Sequence, residues 1–183
     1  MEIFWNTIAR YNAATWPWQI AIVAAAAVLT VLLYLRPTQN VKRAMKLFLA
    51  GLNAWIAVVY YLVWCGQRSH SDVLALFWGI MAVIWLYDLY ADFTRFERTS
   101  RPNGFALLLY LMPLAYPLFS LARGLSFPMM TMPVMPCSVA VFTIGLMLAF
   151  THRINIFLVL FLCHWALIGL AKVYFFGIPE DFL

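Results

Sequence analysis

Charge is scarce in this chain. Lys, Arg, Asp and Glu supply 10% of its 183 residues, where a soluble globular domain carries about a quarter. That shortage excludes an ordinary water-solvated surface. Long polar stretches are also missing, so the connectors are too short to hold a second domain. The three cysteines form no Cys-x-x-Cys pair, which excludes a thioredoxin-like redox site. There is no Gly-rich phosphate loop, no His-Glu-x-x-His zinc pair and no Gly-x-Ser-x-Gly nucleophile elbow. Familiar soluble chemistry is therefore absent.

What is there is apolar. Hydrophobic residues make up 66% of the chain and the mean hydropathy is +0.87. A helix needs about 20 mainly apolar residues to cross a hydrocarbon core of roughly 30 Å. Six runs approach that length, at 16–35, 47–65, 73–90, 104–122, 133–150 and 156–175. The expected fold is all-α, a six-helix transmembrane bundle forming a single integral membrane domain over 1–183. Residues 1–12 lack the basic start, apolar core and small-residue cleavage site of a signal peptide. Phe4, Trp5, Ile8, Tyr11 and Ala14 instead recur at helical spacing, which predicts a short interfacial helix before the first span. Trp16 and Trp18 suit the aromatic belt.

Basic residues orient the bundle, because short cytoplasmic loops retain Lys and Arg. Eight fall after the first, third and fifth runs: Arg36, Lys42, Arg43, Lys46, Arg95, Arg98, Arg101 and Arg153. Four fall on the other side: Arg10, Arg68, Arg123 and Lys172. Both termini are thus expected outside. The net charge of +5, skewed to one face, implies contact with anionic lipid head groups rather than nucleic acid.

Three groups of residues carry candidate chemistry. Asp88, Asp92 and Arg95 step by four and three, so they share one stripe of a helix, either as a salt-bridge ladder or as part of an ion path. His164 and Lys172 lie in the sixth run, with His164 a candidate proton relay. At about 1.5 Å per residue Asp88 is expected roughly 8 Å nearer the cytoplasm than His164, so the two are not a contact pair and only a water chain could join them. The third group is outside: Met129, Met130, Met132, Met135 and Cys137, with Cys65 and His70. Thioethers and thiols are soft ligands for Cu(I), but Met also fills irregular apolar gaps and proline stops helices. A Cys65–Cys137 disulfide is a further possibility on an oxidising face. Pro113 and Pro117 predict a bent or broken fourth helix, and Asn53, Gly145 and Gly169 suit helix contacts.

Tyr11-Asn12 before Trp16-Pro17, Tyr116-Pro117-Leu118, Pro136-Cys137 before Phe142-Thr143 and Gly145, and Gly177-Ile178-Pro179-Glu180-Asp181 carry a resemblance. With Ser138 standing third in a turn that is otherwise Pro-Cys-Pro, the chain resembles an uncharacterised family of bacterial polytopic membrane proteins, a domain of unknown function. That resemblance implies a bacterial inner-membrane protein with about six helices and brings no catalytic residues. The leading expectation is a small transporter, channel or sensor for a solute or ion. The alternatives are an accessory or assembly subunit of a larger membrane complex, a homo-oligomer among them, and a membrane enzyme acting on lipid or thiol through Cys137 or His164.

Overall fold

The computed structural model describes residues 2–66, 70–97 and 104–176, with side chains for 4–66, 70–97 and 104–169. Six helices fill it: α1 (Glu2–Leu35), α2 (Gln39–Trp55, continued as the wider π-helical segment Ile56–Trp64), α3 (Ser71–Ala91), α4 (Gly104–Ala122), α5 (Pro136–Phe150) and α6 (Ile156–Phe176). Two short strands, β1 (Arg95–Phe96) and β2 (Thr151–Arg153), pair antiparallel. Among the described residues, four helices are long and apolar enough to cross a membrane: α1, the composite Gln39–Trp64, α3 and α4.

Several expected boundaries change. The interfacial helix does not exist as a separate piece, because α1 runs unbroken for 34 residues through Pro17. The second helix starts at Gln39 rather than 47, where the Thr38 side chain accepts the Val41 N–H and satisfies a free donor of the first turn. The predicted fifth span from 133 shortens to the 15 residues of α5. Its start is set by Pro136, whose fixed φ and missing N–H suit the first helical position. α4 is neither broken at Pro113 nor at Pro117; its helix continues through both.

Tight packing decides which helices meet. Gly145 of α5 faces the α4 backbone so closely that a Cβ there would stand 2.5 Å from the Tyr110 nitrogen. Glycine permits this approach, as in small-residue contacts between membrane helices. Asn53 is buried, but its amide donates to Leu49 of its own helix at 2.7 Å and not across to a neighbour. A row of edge-to-face rings crosses the core from α1 to α3. Tyr11 meets Tyr60 at 5.0 Å, Tyr60 meets Tyr61 at 5.0 Å, Tyr61 meets Trp165 at 6.5 Å, and Trp165 meets Trp78 at 5.0 Å. Such geometry sets ring edges against ring faces and adds roughly 0.5–1.5 kcal/mol per pair beyond burial.

Gly145→Ala is expected to destabilise the protein by about 1–3 kcal/mol, because a backbone cannot yield as a side chain does. Gly51→Ala, where a Cβ meets nothing within 4 Å, is expected to stabilise by roughly 0.5–1 kcal/mol through helix propensity. Unfolding of both variants in detergent measures the contrast.

Candidate functional site

The most concentrated polar chemistry lies at the end of the bundle where α1 finishes and α2 begins. Lys46 sits about two turns into α2, just before its apolar run, and is 2% exposed. Its ammonium reaches α3, where it makes three contacts: the Asp88 carboxylate at 3.0 Å, the Asp88 main-chain carbonyl at 3.0 Å and the Asp92 carboxylate at 2.7 Å. An ammonium has three protons, so all are used. The cation also lies at the C-terminus of α3, where the helix dipole is negative.

Asp88 is fully buried. Besides Lys46, its two oxygens accept the Thr94 N–H at 2.9 and 3.2 Å. Thr94 in turn accepts the Asn155 N–H at 3.2 Å through its hydroxyl oxygen, and the Asn155 side chain caps α6 by accepting the Phe157 N–H at 3.0 Å. Four segments are tied by one connected set of bonds: α2, α3, the β1 turn and the start of α6. Phe96 closes the cluster from the side, buried and stacked on Trp85 with ring planes 7° apart.

The expected carboxylate stripe is therefore corrected. α3 ends at Ala91, and Asp92 adopts the left-handed conformation at φ 52, which Asp tolerates better than most side chains. Arg95 is consequently on β1, 3.7 Å from Asp92. What joins Asp88 to Asp92 is Lys46, a residue expected among the lipid-facing cations and found in the core. Asp92 is half-exposed, and its hydrogen bond from Lys46 holds its carboxyl below the ordinary value of 3.8. A polar pocket of about 200 Å³ opens beside it, lined by Gln39, Lys42, Lys46, Asp92, Arg95, Phe96 and Glu97.

The opposite end carries a second polar set. Tyr11 donates to the Val134 carbonyl at 2.7 Å and accepts the Trp55 indole N–H at 3.1 Å. The Asn12 amide donates to the carbonyls of Pro128 and Met130, both at 2.8 Å, and Gln19 supports Asn12 and Thr15 at 3.3 and 3.0 Å. Thr131 bonds Ser120 at 2.6 Å and the Tyr116 carbonyl at 3.2 Å. These bonds fasten the methionine-rich loop by its backbone. Met130 and Met135 are buried and Met129 is partly exposed; the Met135 sulfur accepts the Met132 N–H at 3.2 Å. Cys65 is in the core and Cys137 is half-buried, and no disulfide joins them. His70 is exposed. Among the described residues no three His, Cys, Asp or Glu side chains gather as a metal site.

His164 and Cys163 are exposed on the outer surface of α6, with the His164 ring 5.6 Å from Phe77. They do not join Asp88. The Lys172 side chain, like Arg68, Arg98 and Arg101, lies outside the described residues. The sequence alone did not reveal Lys46 and Thr94 as partners of Asp88, nor Asn155 behind Thr94. Also left unused was the polar stripe Tyr11, Thr15 and Gln19, whose four-residue spacing on an apolar helix was a visible signal.

The fold is that of an all-helical protein with membrane-length apolar helices, held at both ends by buried polar bonds. The chain matches the family described as Family of unknown function (DUF6064) over residues 1–183 and belongs to it. No curated protein and no solved structure matches it.

Lys46→Met is expected to cost about 3–5 kcal/mol by leaving Asp88 buried without a counter-charge. Asp92→Asn, at a half-exposed site, is expected to cost no more than about 1 kcal/mol. Thermal unfolding of each against wild type makes the comparison. Because the folded carboxyl of Asp92 titrates below its ordinary value, its contribution is fully present above pH 3.8 and is lost as pH falls through the lower folded value. Wild type should therefore lose more stability than Asp92→Asn in acid titrations over that range; equal losses would count against the pairing.

Proposed function

We propose that this protein crosses a bacterial inner membrane six times and serves as a packing or assembly subunit, with its basic end in the cytoplasm and both termini outside. Helix lengths support the placement. At about 1.5 Å per residue, Trp16 to Leu35 rises roughly 28 Å and Ser71 to Asp88 roughly 25 Å, close to the hydrocarbon thickness. The Lys46–Asp88 pair then falls at the inner boundary and Trp16 at the outer one. α5 rises only about 22 Å, and the loop at 125–135 completes its depth. Irregular backbone at that level requires protein partners for its carbonyls, and Tyr11 and Asn12 provide them.

The observation that carries the reading is the fate of the polar side chains. Asp88, the best candidate for a permeation path, is saturated by Lys46 and Thr94. His164 and Cys163 point away from the core, on a helix whose Phe157, Leu160 and Leu167 are also exposed. Polar and ionisable side chains in a membrane helix are expensive against lipid and usually face protein. A neighbouring helix over this face of α6, from another subunit or a second copy, removes that cost. Transport of a solute or ion has weaker support because Asp88 is engaged in holding the fold and His164 does not join it, and soft-metal capture by the loop because Met130 and Met135 are packed into the interior.

The test is photocrosslinking from benzophenone maleimide on Cys163 in native membranes. A discrete protein adduct, lost in Cys163→Ser and weakened in His164→Leu, is the expected result. Lipid adducts alone, or ion flux above background in liposomes that Asp88→Asn abolishes while remaining folded, would return the protein to the transport class.

A further inference from the structure

A shallow apolar groove of about 380 Å³ runs along the α2–α3 seam, lined by Arg43, Ala44, Leu47, Leu86, Leu89 and Tyr90. Its size falls within the range of small-molecule sites, roughly 300–1,000 Å³. The lining is graded along the bundle axis. Arg43 lies three residues before Lys46 on α2 and Tyr90 two residues after Asp88 on α3, so both stand at or beyond the level of the ion pair. Leu47 and Leu86 lie on the other side of that level, toward the middle of the helices.

The charges of Lys46 and Arg43 are treated differently by the fold. Lys46 is buried against two carboxylates, whereas Arg43 is exposed and makes no ion pair among the described residues. Leu47 is 55% exposed, Leu86 48% and Tyr90 91%. A guanidinium at the rim is suited to bidentate hydrogen bonding with a phosphate. Below it comes a leucine-lined trough with almost no polar surface, and beside it a tyrosine at the depth where aromatic rings meet head groups. A cation above an apolar trough, in that order along the membrane normal, is complementary to one class of molecule.

We infer that this groove binds one anionic phospholipid of the cytoplasmic leaflet, its phosphate on the Arg43 guanidinium and an acyl chain along Leu47, Leu86 and Leu89. The inference rests on the membrane placement proposed above, with the basic end in the cytoplasm, and is independent of the α6 partner. It assigns Arg43 a bound ligand of its own, in place of a diffuse attraction shared by all the basic residues of that end.

Native mass spectrometry of the full-length protein, released from detergent with equimolar phosphatidylglycerol and phosphatidylcholine, tests it. Wild type should retain one phosphatidylglycerol in preference to phosphatidylcholine. Arg43→Gln should reduce that adduct about fivefold, the equivalent of roughly 1 kcal/mol for one basic residue at a membrane surface. Leu86→Trp should reduce it with Arg43 intact, by filling the trough. Arg153→Gln, a cation of the same end outside the groove, should leave it unchanged. Equal retention of the two lipids, undiminished retention in Arg43→Gln, or displacement by millimolar inorganic phosphate, which would mark a simple anion site, overturns the inference. Vesicle flotation separates the two levels. A wild type that floats and resists carbonate extraction but shows no lipid preference overturns the groove alone, and one that fails to float overturns the membrane placement and the groove together.

Discussion

The contact between Lys46 and Asp88 governs the arrangement of the basic end. Removing an ammonium and a carboxylate from water costs several kcal/mol per ion, and their attraction offsets this only where geometry is good and further hydrogen bonds complete the shell. Both conditions are met, since Lys46 finds three acceptors and Asp88 gains the Thr94 amide. Any slide of α2 against α3 would leave an uncompensated charge in an apolar interior. The pair therefore fixes helix register far more sharply than leucine contacts, which tolerate displacement.

From that contact the order spreads outward through ordinary bonds. Holding the Thr94 amide shapes the turn after α3, which places Phe96 against Trp85 and brings β1 beside β2. The same Thr94 hydroxyl receives Asn155, which caps α6. The far end uses neutral groups for a comparable purpose: Tyr11 and Asn12 on α1, the latter braced by Gln19, satisfy carbonyls of a proline-rich loop that cannot form a helix. Between the two ends lie the aromatic row and the close α4–α5 approach at Gly145. With Lys46, Asp88 and Asn12 committed to internal bonds, the side chains left facing outward include Arg43 on the α2–α3 seam and Cys163 and His164 on α6.

How much of this was legible in the sequence follows from how each feature is encoded. Apolar runs, helical content and the skew of basic residues are properties of neighbouring positions, and hydropathy adds up along a helix regardless of what that helix packs on. Gly145 as a contact residue was legible for a similar reason, since few other roles suit glycine inside an apolar helix. The end of α3 was not, because it depends on Asp92 entering a left-handed conformation that glycine or asparagine would have announced more clearly. Nor was the unbroken course of α1, whose polar residues looked like an interface and are instead the contacts that hold the loop.

The sequence by itself determined an all-helical chain of membrane-length apolar segments with one basic end, because burial preference is set residue by residue. Only the tertiary structure decided that Lys46 belongs to Asp88, 42 residues away, that Asp92 leaves the helix, and that His164 faces outward. Those outcomes depend on the depth and rotation of separate helices relative to one another. Composition constrains neither, while the requirement that every buried charge meet its counter-charge constrains both.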